Sequence, residues 1–256
     1  RGRIEIAQAI ENGSDTPVTL TLNSILTGTS YQDVGVGIRD GSAFGYFGSG
    51  TAPISVVKTG SGNTVFGAST GGATPGAFSS YTGTTTVNSS ASNGNTYINA
   101  ATDTIWDDGV ILLNSYAPNL DSAYIQTVGG STFTNNATIQ GRGRIHGLFR
   151  NNGLVESGAG STLELTSQSK SNRGIIRAVS AGSLFITGVT LTNNADSVDG
   201  EIRADGGNVY LNACTISDGT MNAVNAGRFI VSASSTLNGG ISGSGPIDVN
   251  AGQILI

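Results

Sequence analysis

Gly153-Leu-Val-Glu-Ser-Gly-Ala-Gly-Ser-Thr-Leu-Glu-Leu165, Gly174-Ile-Ile-Arg-Ala-Val-Ser-Ala-Gly-Ser-Leu-Phe-Ile186 and Gly200-Glu-Ile-Arg-Ala-Asp-Gly-Gly-Asn-Val-Tyr-Leu211 are three copies of one pattern. The leading glycines fall at positions 153, 174 and 200, so the interval is 174 − 153 = 21 and then 200 − 174 = 26. The longer interval reads as one inserted loop, Ala195-Asp-Ser-Val-Asp199, after an Asn193-Asn194 pair that matches Asn151-Asn152; Asn172 falls midway between Asn151 and Asn193. Val155, Ile176 and Ile202 share a column, Ser157, Ala178 and Ala204 the next but one, and Glu156, Arg177 and Arg203 lie between. Alternation of apolar or small residues with charged ones is the signature of a strand with one face inward.

A second strand follows a glycine-rich turn in each copy. Leu163/Leu165, Leu184/Ile186 and Val209/Leu211 point one way, with Glu164, Phe185 and Tyr210 between them. A third appears in the last two copies, where Val189/Leu191 matches Cys214/Ile216. One such unit cannot bury its own apolar face, but stacked units build a continuous core, which is the logic of a solenoid. A leucine-rich repeat has a similar period but needs a fixed Leu-x-x-Leu-x-Leu frame and a convex helix. Neither is present, and Gly, Ser, Thr and Asn punctuate every apolar run. The expected fold is therefore all-β, a right-handed parallel β-helix whose coils pair at about 4.8 Å.

Composition agrees. The chain has 256 residues with 39 Gly, 5 Pro, 37% hydrophobic and 11% charged residues, too apolar for charge-driven disorder. A net charge of −5 and a pI of about 4.7 argue against nucleic acid, which needs a basic surface. Cys214 is alone, so no internal disulfide forms; a cytosolic chain reads this way, and so does one that crosses membranes unfolded. The chain opens on Arg1 and has no apolar run of about 18 residues, so no membrane span is expected in what reads as a piece of a longer protein. Its last residues, Gln253-Ile-Leu-Ile256, stop inside a strand-like run. The expectation is an open coil that associates weakly end to end or is hidden under a neighbouring segment.

Residues 1–53 are the least legible and read as an N-terminal cap or irregular early coils. Val18-Thr-Leu-Thr-Leu22 alternates like a strand, and Asp40-Gly41 suggests a hairpin turn between Val34–Ile38 and Phe44–Phe47. Residues 54–256 read as the β-helix proper. Within them, Val56-Val-Lys-Thr-Gly-Ser-Gly-Asn-Thr-Val-Phe-Gly67 and Ser80-Tyr-Thr-Gly-Thr-Thr-Thr-Val-Asn88 resemble the two halves of the autotransporter-associated β-strand repeat, with the spacer expanded by Ala68–Phe78. The later units resemble the coils of bacterial autotransporter passengers and haemagglutinin-like adhesins.

That resemblance implies an extracellular or cell-surface protein, outer membrane-anchored or secreted. It would act as an adhesin or stalk in cell adhesion and virulence, with a surface glycan or protein of a host or neighbouring cell as partner. It implies the scaffold more than any activity, since one scaffold carries many functions. Two other classes remain open. One is a carbohydrate-active β-helix enzyme or phage tailspike, recognised by paired carboxylates about 5 to 9 Å apart in a groove. The other is a subunit of a self-assembling extracellular layer.

Residues 89–130 read as an excursion from the repeat, where binding residues often collect. A sugar or cation site there would use Trp106 with Asp103, Asp107 and Asp108. The competing reading makes Asp108-Gly109 a turn and Trp106 a packing residue, and the spacing matches no dedicated calcium loop. A second candidate is the basic cluster Arg142, Arg144, His146 and Arg150, which could dock an anionic glycan or form solvated coil faces. It sits in Ile139-Gln-Gly-Arg-Gly-Arg-Ile145, which recurs as Ile241-Ser-Gly-Ser-Gly-Pro-Ile247 and reads as a tight corner used twice. Those glycines have the wrong spacing for a dinucleotide fingerprint and no helix follows, so no cofactor is expected. His146 is the single histidine and lies among arginines, which leaves no triad and no histidine-rich zinc site. Cys214 reads as a buried small hydrophobe, and no catalytic function is expected.

Overall fold

The alternating columns close into coils. The computed structural model describes residues 103–116, 122–238 and 242–255 continuously, and upstream of these the segments 4–6, 10–12, 16–23, 31–34, 38–40, 54–59, 63–66, 78–79, 82–89 and 96–100. The described residues are almost wholly strand, with no α-helix among them, and the fold is a parallel β-helix. The chain divides into two compact units, Arg1–Thr138 and Ile139–Ile256.

In the second unit each coil from Leu154 onward has three short strands. One coil comprises Leu154–Ser157, Thr162–Thr166 and Lys170–Asn172, the next Ile175–Val179, Ser183–Thr187 and Thr190–Thr192, and the third Glu201–Asp205, Asn208–Asn212 and Thr215–Ser217. Equivalent strands pair parallel and in register: Val155 with Ile176, Ile176 with Ile202, and Ile202 with Met221. Val155, Ile176 and Ile202 are fully buried, as expected of one inward column. Leu163, Leu184, Val209 and Phe229 form a second column, and Leu165, Ile186, Leu211 and Val231 a third. Each such aliphatic side chain contributes roughly 1.5 to 3 kcal/mol by leaving water.

The column Ser157, Ala178 and Ala204 is also fully buried, and it holds only small residues. Gly182 and Gly207 follow it in the turn to the second strand, where a Cβ would meet backbone carbonyls at 2.6 and 2.7 Å. Between the third strand and the next coil runs a ladder of buried asparagines. Asn151 Nδ2 donates to Asn172 Oδ1 at 2.8 Å, and Asn172 Nδ2 donates to Asn193 Oδ1 at 2.7 Å. Asn193 Nδ2 then donates to the Thr220 carbonyl at 3.2 Å. These amides satisfy main-chain groups that the turn withdraws from water and that would otherwise be costly.

The inserted loop is a hairpin, with Asn194–Ala195 antiparallel to Val198–Asp199. Its two central residues, Asp196 (φ 55°) and Ser197 (φ 62°), are left-handed, as a two-residue turn on twisted strands requires. The repeated glycine motif, expected at a corner, runs largely through strand: Thr138–His146 spans the first copy and Ser242–Ser244 part of the second. Gly141 (φ 108°) and Gly243 (φ 150°) occupy the same place in it, and a Cβ on Gly243 would run into the Met221 carbonyl oxygen.

In the first unit the stacking extends into residues 1–53. Ile4–Ile6 pairs parallel with Tyr31–Val34, Ile10–Asn12 with Ile38–Asp40, and Val18–Asn23 with Ile54–Thr59. The described parts of 1–53 are therefore early coils. The hairpin expected after Asp40 falls outside the described residues.

The expectation that 89–130 leaves the repeat is corrected. Thr96–Ala100 pairs parallel with Asn63–Phe66 and Ala123–Thr127, Thr104–Trp106 with Phe133–Asn135, and Val110–Asn114 with Thr84–Asn88. The described residues of the stretch belong to coils. This escaped notice because Thr84 stacks on Val110 and Thr64 on Ile98, strides of 110 − 84 = 26 and 98 − 64 = 34, both longer than the step from Val155 to Ile176.

Candidate functional site

Three groups of residues could carry function, and the geometry treats them differently. Trp106 closes a strand whose alternate residues, Thr104 and Trp106, point inward. It is fully buried and stacks on Phe133 with ring centroids 6.2 Å apart. A ring in the core offers no face to a sugar, so the Trp106 binding reading is corrected to one of packing. The carboxylates beside it serve turns. Asp108 Oδ1 accepts from the Gly109 amide at 2.7 Å, Asp107 Oδ1 from Asn136 Nδ2 at 2.7 Å, and Asp103 Oδ1 from the Thr132 amide at 2.8 Å. They reach different partners and do not converge on a cation. Among the described residues no three His, Cys, Asp or Glu gather as metal ligands.

Arg142, Arg144 and His146 lie half-buried on the strand Thr138–His146, and Arg150 on Phe149–Asn151. Arg144 meets Glu164 of the next coil at 2.7 Å. Arg150 pairs with Asp196 at the hairpin tip and with Asn152 Oδ1 at 3.2 Å, while Arg173 reaches the same Asp196 carboxylate at 3.6 Å. Arg144 and Arg150 thus each hold a carboxylate of their own chain, and the cluster is not one bare cationic patch. Exposed pairs of this kind contribute roughly 0 to 1 kcal/mol each.

The outer face of the first strands is a charge ladder. Arg177 binds Glu156 at 2.6 Å and Arg203 binds Glu201 at 2.7 Å, with Asn222 Nδ2 donating to Glu201 at 2.9 Å. The Arg203 hydrogen bond holds the Glu201 carboxyl below its ordinary range, the opposite of what a general acid requires.

On the outer face of the second strands Phe185 stacks on Tyr210 at 4.4 Å with 6° between planes. Tyr97 and Tyr124 do the same in the first unit at 4.6 Å and 8°. Rings one strand spacing apart turn a face to each other. Their stacking reinforces the ladder and leaves mainly edges outward.

No family model, curated protein or solved structure matches this chain. Function therefore rests on the chain's own geometry.

Sequence reasoning missed two features here. Asp196 is the partner that draws Arg150 and Arg173 together, and its place at a two-residue turn within an insertion was the available signal. Lys170 is the other: it stacks against Leu191 of the next coil, in an otherwise apolar column, and is 2% exposed. Cys214 behaves as expected, 3% exposed, with burial pushing its thiol pKa up and making it a poor nucleophile. No helix among the described residues is long and apolar enough to cross a membrane.

Proposed function

We propose that this chain is a segment of a secreted or cell-surface β-helical passenger protein and works as a stalk or adhesin. The observation that carries the reading is the division of labour across each coil of the second unit. Inward columns of Val, Ile, Leu and Ala join a buried asparagine ladder, while outward carboxylates at Glu156, Glu164 and Glu201 are each held by an arginine. Main-chain pairing between coils makes such a scaffold stiff, and outward loops such as the Asn194–Asp199 hairpin are free to vary. A lone cysteine suits export as an unfolded chain, with folding deferred to the outside. The partner is a surface glycan or protein of a host or neighbouring cell.

The test is display. The chain, fused upstream of a heterologous autotransporter translocator in a Gram-negative host, should reach the surface and become accessible to antibody and added protease. Displaying cells should then gain adherence to one another or to epithelial monolayers if the recognition surface lies in this segment; unchanged adherence assigns it the stalk role. Retention inside the cell, or release of reducing sugars from surface polysaccharide, would contradict the proposal.

A further inference from the structure

Lys170 stands in the third-strand column Phe149, Lys170, Leu191, Ile216 and Leu237, whose other members are apolar and buried. Its stem continues that column, and its amine ends among main-chain carbonyls. Nζ donates to the Thr166 carbonyl at 2.9 Å, to Gln168 at 3.4 Å, and to Gly147 of the preceding coil and Ser167 at close range.

The backbone is shaped for this. Ser167 (φ 56°) and Gln168 (φ 57°) are both left-handed, whereas the matching turns one and two coils on have a single left-handed residue, Gly188 and Ala213. In those coils the next side chain, Val189 or Cys214, points inward; Gln168 is exposed instead. The turn also holds one residue more than its predecessor, since His146 and Phe149 are three apart while their partners Thr166 and Lys170 are four apart. Two strained φ values and a lost apolar contact need compensation, and the ring of carbonyls around Nζ is what they produce.

We propose that the carbonyls of Gly147, Thr166, Ser167 and Gln168 form a monovalent-cation site in the wall of this coil, and that the Lys170 ammonium is the tethered cation that fills it. The partners are all neutral oxygens, which suits a single charge; calcium sites of comparable burial recruit carboxylates. An ammonium has three donors, enough to link the turn to the coil before it. Burial pushes the Lys170 amine down to about 7, so the ammonium that donates to these carbonyls is the form present below that pH.

Lys170→Ala and Lys170→Met separate a cation site from a lysine merely tolerated in the core. Both variants are expected to melt lower than the parent in choline chloride, by roughly 5 °C or more. For Lys170→Ala, ammonium or potassium chloride at matched ionic strength should restore a large part of the loss with saturation, while calcium or choline should not. A Lys170→Met protein as stable as the parent, or a loss that no salt restores, would overturn the proposal. A measurement on the unaltered chain guards against variants that fail to fold. At pH 6 the ¹⁵N spectrum should contain one lysine ammonium signal with slowly exchanging protons, absent from Lys170→Met; its absence from the parent would also overturn the site.

Discussion

Replacing Ile176 by Asp is expected to destabilise the second unit by about 5 kcal/mol or more, enough to abolish its folded population in a marginally stable domain. Ile176 is fully buried between Val155 and Ile202, so the new carboxylate would sit in a column with no polar partner for it. Arg177→Asp, one residue on, faces outward. It removes the 2.6 Å pair with Glu156 and sets two carboxylates on adjacent strands, for about 1 kcal/mol. Guanidinium unfolding followed by circular dichroism measures both. A larger loss for Arg177→Asp than for Ile176→Asp would mean that inward and outward faces have been exchanged, since a one-residue slip reverses a strand.

The second large effect is at Asn172, where Asn172→Leu is expected to cost about 3 kcal/mol. The side chain is fully buried and binds in both directions along the ladder. Its Nδ2 reaches Asn193 Oδ1 at 2.7 Å and the Gly174 carbonyl at 3.1 Å, and its Oδ1 accepts from Asn151 at 2.8 Å and from the Gly174 amide at 3.2 Å. Leucine is similar in size and leaves the Asn193 oxygen and the Gly174 amide without these partners, so the penalty is unsatisfied polarity more than lost volume. Thermal melting of Asn172→Leu beside Thr192→Leu, an exposed position on the next coil, isolates that term. Similar melting temperatures would show that the asparagine ladder contributes little.

The columns through Val155, Ile176 and Ile202 were legible because the units around them keep nearly the same internal spacing, eight residues from Val155 to Leu163 and from Ile176 to Leu184 and seven from Ile202 to Val209, and the five-residue insertion left its strand flanks intact. The third strand was legible only where Val189/Leu191 and Cys214/Ile216 supplied apolar pairs. At Lys170-Ser-Asn172 the same strand is present, but a polar residue holds the apolar place, and hydropathy alone cannot report that its amine has found carbonyls. The stretch around Trp106 failed for a different reason. Its coil-to-coil steps are longer, so Thr96–Ala100 and Val110–Asn114 fall off the grid set by the later units and looked like a departure from it.

Among candidate sites, the sequence singled out Trp106 and the arginines by residue type alone. It could not say that Trp106 points inward, or that Asp196, far along the chain from Arg150, folds back to meet it.

Cross-linking in the second unit tests the parallel coil stack most directly. In a Cys214→Ser background, cysteines would be placed at the outward ends of two successive second strands, Thr162–Thr166 and Ser183–Thr187. Parallel pairing puts Thr162 beside Ser183 and Thr166 beside Thr187. Adjacent strands about 4.8 Å apart bring such pairs within disulfide reach, whereas the crossed pairs are separated by about 13 Å along the strand. Oxidation should therefore link 162 with 183 and 166 with 187, and should leave 162 with 187 and 166 with 183 reduced. Efficient linkage of the crossed pairs, with the in-register pairs free, would mean an antiparallel hairpin and would contradict the coil architecture on which the account rests.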